Sequence, residues 1–238
     1  MSQPIEKGRD AIFVLFARVP RVGEVKTRLA AALGPEAALA LHRAFLLDTI
    51  ELMHRASARG VQRAIWFSEA WQPDAEIETH LGGFLRGVQD GEDLGTRMRT
   101  CLSELLAAGW KRVVIVGVDS PSLPQEILNQ AVSALKDREV VLGPALDGGY
   151  YVVGARTVTP EMFRGIAWGG SQVLSDTLEV LKILGMAPVL LPKWYDVDTV
   201  EDLDRLASDI ARLAEAGEPI PRATARALQA LDRPRIPS

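Results

Sequence analysis

Two patterns of apolar residues take turns along this chain. Short runs, most of them unbroken and rich in valine, isoleucine and phenylalanine, lie at 11–17, 61–67, 84–88, 113–118, 140–143, 150–153 and 188–191. Between them, apolar residues recur at three-to-four spacing over 35–58 (Leu39, Leu46, Ile50, Met53), 95–108, 124–136, 171–184 and 199–216, with one more helical stretch at 223–231. The first pattern predicts strands and the second helices. Strands alternating with helices of this length build βαβ units, hence one α/β domain over 1–238 around a mostly parallel sheet. Parallel neighbours need a crossover of a dozen or more residues. The runs at 140–143 and 150–153 are too close for one, so a strand of this pair runs antiparallel or lies elsewhere. From about 217 to 238 the chain turns rich in proline and arginine and reads as a C-terminal extension with a frayed end.

The run at 113–118 ends most abruptly. Val113, Val114, Ile115, Val116 and Val118 show no alternation, as expected of a central strand buried on both faces. Asp119 follows at its carboxyl end, where open α/β sheets bind their ligands, so its carboxylate is placed for a metal ion or a polar ligand. Pro121 forces Ser120 into an extended conformation and stops the strand. A strand-end turn, in which Asp bonds nearby backbone N–H groups, is the structural alternative.

Composition narrows the picture. A chain of 238 residues that is 47% hydrophobic buries a substantial core without staples. A net charge of -4 argues against a nucleic-acid partner, which needs many phosphate contacts from Lys and Arg. The single Cys101 makes no intrachain disulfide and fits a reducing compartment. No apolar run is long enough for a spanning helix, and residues 1–10 are too polar for a signal peptide, so the expected location is cytoplasmic.

Against that acidic background the loop after the first run stands out: Arg18, Arg21, Lys26 and Arg28 share it with Pro20 and Gly23, and a helix starts near Lys26. A basic loop entering a helix N-terminus is a ready phosphate site, although neither the Walker nor the dinucleotide glycine spacing is present. A second polar loop, 89–98, carries Asp90-Gly91 and Asp93-Leu94-Gly95. Its glycines would let a base or ribose approach closely, while its acids suit capping of the following helix. In a third loop Asp147 precedes Gly148 and Gly149, placed to accept hydroxyl hydrogen bonds from a sugar or acceptor, or simply to make a hairpin turn. Trp168-Gly-Gly-Ser171 reads as a flexible rim with Ser171 as a helix N-cap. In Trp194–Leu203, Asp198 or Thr199 suits an N-cap with Glu201 or Asp202 completing a capping box. Asp196 and Asp198 alternate about Val197 and face one way if the backbone is extended, so either could join Asp119 on one Mg²⁺. His42 and His54 on a helix and His80 in a loop lack zinc spacing and read as surface or boundary residues, and Cys101 as packing.

Taken in order, Val-Lys26-Thr-Arg-Leu, Asp93-Leu-Gly-Thr-Arg-Met98, Gly-Val-Asp119-Ser-Pro, Asp147-Gly-Gly-Tyr and Asp196-Val-Asp198-Thr-x-Glu-Asp-Leu resemble the GT-A-fold nucleotide-diphospho-sugar transferase superfamily. The chain looks closest to its bacterial arsenosugar-biosynthesis-type and uncharacterised glycosyltransferase group. At the Lys-Thr-Arg-Leu and Asp-x-Asp-Thr segments it is also similar to molybdenum-cofactor and 2-phospholactate guanylyltransferases. The resemblance implies a Rossmann-like three-layer α/β/α sandwich with nucleotide at the carboxyl ends of the first strands. It implies Arg18, Lys26 and Arg28 on phosphates, with Asp93, Leu94 and Gly95 also on the nucleotide. It further implies Mg²⁺ or Mn²⁺ between Asp119 and Asp198, acceptor contacts at Asp147, Gly148 and Gly149, and catalytic parts for Asp119, Asp147 and Lys26. Two departures matter: Pro121 stands where a D-x-D would want an acid, and Trp168-Gly-Gly-Ser171 replaces the group's Trp-Ser-Thr-Ser.

The expected activity is therefore metal-dependent glycosyl transfer from a nucleoside-diphosphate sugar to a small acceptor. The alternatives are nucleotidyl transfer from a nucleoside triphosphate to a phosphorylated acceptor with release of pyrophosphate, and a catalytically silent nucleotide-binding protein. Apolar surface on the terminal helices would suit a homodimer.

Overall fold

The unbroken run Ala11–Ala17 forms β1, and its alternate residues serve two different cores. Ala11, Phe13, Leu15 and Ala17 join one buried apolar cluster, Ile12 and Val14 the other. That division is the reason the run shows no polar alternation: both faces of the strand are covered. In this computed structural model, which describes residues 10–56 and 61–231, six more strands follow: β2 (Val61–Phe67), β3 (Phe84–Val88), β4 (Arg112–Val116), β5 (Val140–Pro144), β6 (Tyr150–Ala155) and β7 (Val189–Leu190). They form one sheet in the order β3-β2-β1-β4-β6-β5-β7. Only β6 runs against its neighbours, pairing antiparallel with both β4 and β5. The close spacing of the runs at 140 and 150 is thus a hairpin.

Helices cover both faces. On the side of Phe13 and Leu15 lie α1 (Thr27–Leu33), α2 (Pro35–Ala56), α3 (Ala75–His80), α5 (Gln125–Ala134), α7 (Val200–Glu215) and α8 (Arg222–Ala230). On the side of Ile12 and Val14 lie α4 (Leu94–Ala107), a 3-10 turn (Pro160–Phe163) and α6 (Val173–Ile183). The expected three-layer α/β/α sandwich is what forms. The six-residue α3, capped by Asp74 through its acceptance of the Ile77 N–H, is too short to leave a periodic signal. It makes His80 a helix residue rather than a loop residue. Among the described residues no helix is long and apolar enough to cross a membrane. The expectations for 1–9, for the helix end at 58 and for the tail beyond 231 lie outside the described residues.

The C-terminal extension is tied down at α8. Asp48, in the middle of α2 and only 7% exposed, accepts the N–H groups of Ala223 and Thr224 at 3.0 and 2.6 Å. It supplies the α8 N-terminus with the acceptor that Pro221, the N-cap residue, lacks. Asp48→Ala is expected to cost about 1–3 kcal/mol by orphaning those two donors. Amide exchange in α8 should speed up well before that in the first half of α2. Among the described residues the exposed large apolar side chains are Val22, Val88, Leu94, Leu146, Ile183 and Leu190, none of them on α7 or α8.

Candidate active site

From β1 the chain moves outward to β2 and β3, then returns to β4 on the other side of β1. The carboxyl ends of β1 and β4 therefore part at a topological switch point, the place where an open α/β sheet offers a crevice. Arg18 leaves β1 there. Gly117, Val118 and Asp119 leave β4, whose regular pairing ends at Val116. The opening is a cleft of about 950 Å³.

One contact organises its floor. Val197 donates its N–H to the Asp119 carbonyl at 2.8 Å, joining the end of β4 to a segment 78 residues further on. Val197 is fully buried, and the alternation expected from the sequence then turns Asp196 and Asp198 together into the cleft. Ser120 donates to Asp196 at 2.7 Å. Thr199 caps α7 and shares a full capping box with Asp202, so the cap and the two cleft acids are adjacent uses of one stretch.

Lys26 meets this floor from the basic loop. Its ammonium donates to Asp119 and Asp198 and also to the Val197 carbonyl, at 2.5, 3.0 and 2.7 Å. Three protons meet three acceptors, and the side chain is 3% exposed. In this arrangement its ammonium is fully engaged below the cleft surface, so a phosphate reaches it only by drawing it away from these acceptors. Reaching that position takes an unusual backbone: with φ 47° and ψ 49°, Lys26 is left-handed, the only non-glycine residue with positive φ among the described residues. Val25, 2% exposed, anchors the loop beside it. Arg18 and Arg28 are exposed on the cleft wall.

Charge inside the cleft is shifted accordingly. Burial alone would lower the Lys26 ammonium, but Asp119 and Asp198 outweigh it and raise its pKa. Burial would raise Asp119, and Lys26 reverses that, holding its carboxyl below the usual range. Asp196 feels Lys26 only weakly. Burial, with Asp119 and Asp147 nearby, pushes it to about 7 against the Ser120 hydrogen bond. The native state then holds a proton on Asp196 that the unfolded chain, at 3.8, has lost. Stability is expected to fall as pH rises from about 4 to about 7, by roughly 4 kcal/mol, and then to level off. Asp196→Asn should flatten that slope in urea-unfolding curves.

The rim differs from expectation in detail. Asp93 caps α4, accepting the Thr96 N–H at 2.7 Å, so its carboxylate has a structural duty. Gly95 does not open onto the cleft: a Cβ there would stand 2.2 Å from the Trp168 ring, so the missing side chain makes room for an indole. Leu94 is exposed on the cleft wall. Asp147, Gly148 and Gly149 form the β5–β6 hairpin, with Asp147 accepting the Gly149 N–H at 2.9 Å. Gly148, at φ 93°, packs its Cα against the Ser171 carbonyl. Ser171 is therefore a packing partner of that turn, and α6 starts two residues later after Gln172, with no side-chain cap.

His42 was read as a surface or boundary residue and is instead 3% exposed on the cleft lining, its Nε2 3.2 Å from the Arg18 carbonyl. Burial lowers its pKa and keeps the ring neutral. The signal was in the sequence: His42 falls on the buried stripe of α2 with Ala38, Leu41, Phe45 and Thr49. Arg97, which donates to the Gly91 carbonyl at 2.9 Å, also lines the cleft without having been singled out. Cys101 is packing, as expected, with burial pushing its thiol up out of reactive range. His54 stacks edge-on with Phe84 and meets the His80 carbonyl at 2.9 Å, away from the cleft.

Seven carboxylates and four basic side chains line the cleft. A polyphosphate entering alone would meet an excess of like charge, so the lining favours an anion that brings cations with it. The donors suit a hard divalent ion: Asp119 and Asp198 offer carboxylate oxygens, and the pair already grips one cation, the Lys26 ammonium. Among the described residues no group of three or more such side chains stands ready to hold a metal, so a divalent ion there would rely on these two and on ligands from substrate.

Comparison with known proteins agrees with this fold. A crystal structure from Desulfovibrio desulfuricans G20, provisionally designated a nucleotide-diphospho-sugar transferase, aligns with a TM-score of 0.78 at 30% identity, covering 92% of this chain and 94% of that one. A phosphoenolpyruvate guanylyltransferase from Sphaerobacter thermophilus is 29% identical over 198 residues, 79% of this chain and 89% of its own length. The 4-diphosphocytidyl-2C-methyl-D-erythritol synthase of Anaerococcus prevotii DSM 20548 shares the fold alone, with a TM-score of 0.52 at 12% identity over 87% of this chain and 96% of that one. These matches speak for a nucleotide-diphospho-sugar transferase-like fold with a guanylyltransferase relative, and not for the narrower arsenosugar-type group. The family model of uncharacterized proteins conserved in bacteria, DUF2064, matches residues 50–170, from the second half of α2 through Asp119 and the Asp147 hairpin to Trp168, and the chain belongs to that family.

Proposed function

We propose that the protein is a nucleotidyltransferase, joining a nucleoside monophosphate unit from a nucleoside triphosphate to a small phosphorylated acceptor. An acceptor phosphate oxygen attacks the α-phosphorus, the bond from the α-phosphorus to the α,β-bridging oxygen breaks, and pyrophosphate leaves. The carrying observation is the cation-gripping pair Asp119 and Asp198, brought together at the switch point by the Val197 N–H to Asp119 carbonyl contact. It is supported by the 29% identity to a guanylyltransferase across most of both chains. With Pro121 two residues after Asp119, the paired acid has to come from Asp198.

In this reading Arg18 and Arg28 bind the phosphates from the exposed wall, and Asp119 and Asp198 hold the divalent ion. When bound, that ion neutralises charge developing on the phosphate oxygens. His42 and Val197 position the loops that carry those groups, and the Asp147 hairpin faces the acceptor. The cleft needs little covalent chemistry of its own, since phosphoryl-type transfer is mainly positioning and electrostatics. Glycosyl transfer from a nucleotide sugar is the second reading, favoured by the designation of the 30%-identical structure.

The test is product analysis with Mg²⁺, offering each nucleoside triphosphate with phosphoenolpyruvate and other small phosphorylated acids, and each nucleotide sugar separately. Pyrophosphate release dependent on an acceptor supports nucleotidyl transfer. Nucleoside diphosphate release from a sugar nucleotide, with no pyrophosphate, overturns it in favour of the second reading.

A further inference from the structure

A divalent ion and the Lys26 ammonium make competing claims on the same two oxygens. The ammonium already takes Oδ1 of Asp119 and Oδ1 of Asp198, and it is sealed from solvent at 3% exposure. A Mg²⁺ bridging these carboxylates would sit about 2 Å from each oxygen. A metal on those atoms displaces the ammonium, and a metal on the remaining Oδ2 atoms would lie within a few ångströms of it, where like charges repel strongly. We infer that Lys26 is a resident counter-ion that keeps divalent metal out of the nucleotide-free site, so that the metal enters only as its complex with the nucleotide. The inference rests on the reading of Asp119 and Asp198 as metal ligands.

Three features of the chain fit this role. First, withdrawing a buried ammonium from two carboxylates leaves uncompensated charge, so free metal has to overcome the existing pair as well as its own dehydration. Second, the nucleotide removes that obstacle: its phosphates offer the ammonium new acceptors and give the metal further oxygen ligands, which Mg²⁺ sites with one or two carboxylates need. Third, Lys26 is held in a left-handed backbone, a conformation that costs a non-glycine residue roughly 1–2 kcal/mol. Release of the side chain from Asp119 and Asp198 therefore also removes what holds that strain in place. Gly23, at φ 78° with open space around it, gives the loop a pivot three residues earlier.

The experiment is Mn²⁺ binding, read by the loss of the free-ion electron paramagnetic resonance signal, in the absence and presence of GTP. The wild type is expected to bind Mn²⁺ weakly alone. Lys26→Met is expected to bind it at least tenfold more tightly without nucleotide, and Lys26→Met with Asp198→Asn to lose that gain. Lys26→Gly, which suits the left-handed backbone, is the second variant should the methionine chain fold poorly, and its affinity should rise equally. Unchanged Mn²⁺ affinity in both single variants, or tight binding by the nucleotide-free wild type, overturns the inference. Either result leaves the nucleotidyl-transfer reading standing, because that reading is judged by pyrophosphate release; a wild type that never releases pyrophosphate fails the function without touching the displacement of Lys26.

Discussion

Asp119→Asn is expected to lower kcat/KM by about 10²–10³-fold, the loss typical of removing one group that stabilises charge in the transition state. The same change should cost only about 1–3 kcal/mol of stability, since the amide oxygen still accepts a hydrogen bond and Asp198 and the Val197 carbonyl still hold Lys26. The separation of the two effects is the informative part. Asp119 contributes its backbone carbonyl to the Val197 contact, and the substitution leaves that intact, so the floor of the cleft keeps its shape. Turnover measured beside urea unfolding decides the matter: a variant that folds like the wild type and keeps its rate within tenfold removes Asp119 from the chemistry.

Gly148→Ala is expected to have the largest structural effect of any single added methyl at the rim, about 2–4 kcal/mol. The added Cβ would lie 1.9 Å from the Ser171 carbonyl oxygen, a backbone atom that cannot rotate away, and φ is 93°. The 168–171 segment would have to retreat from the hairpin, breaking the Leu174 N–H to Gly148 carbonyl bond of 2.8 Å. Gly169→Ala is the control: its φ of 84° is equally unfavourable, but nothing lies within 4 Å of the new atom. It should cost only about 1–2 kcal/mol. Denaturant midpoints that are equal for the two variants would show that backbone strain, and not the contact with Ser171, sets the cost.

Much of the scaffold was legible because its strongest signals are local. β1, β2 and β3 span the runs at 11–17, 61–67 and 84–88 read from the sequence, and the short gap before Tyr150 excluded a parallel crossover, leaving as one of two options the antiparallel pairing that β6 adopts. Asp119 was legible too, since a buried strand ending in an acid points to the crevice whatever lies elsewhere. The two-residue β7 and the six-residue α3 carry too few positions for a period to show. Lys26 was harder still. Two of its three acceptors, Asp198 and the Val197 carbonyl, lie 172 and 171 residues away, and no spacing rule reports that together with Asp119 they claim its three protons. Gly95 is ambiguous in sequence for a related reason: the space left by a glycine looks the same whether a nucleotide or Trp168 fills it. His42 was readable from the buried stripe of α2, but an apolar stripe with one histidine gives no hint that a strand-end carbonyl waits beside it.

In the proposed site, nucleotide binds at the switch point through a cation held by Asp119 and Asp198. The measurement that tests it most directly is titration calorimetry of nucleoside triphosphates and nucleotide sugars, with and without Mg²⁺, on the wild type and on Asp198→Asn. Tight triphosphate binding to the wild type is expected only when Mg²⁺ is present, with a loss of at least tenfold, about 1.4 kcal/mol, in the variant. Nucleotide binding that is indifferent both to Mg²⁺ and to Asp198, or no nucleotide binding at all, would contradict it.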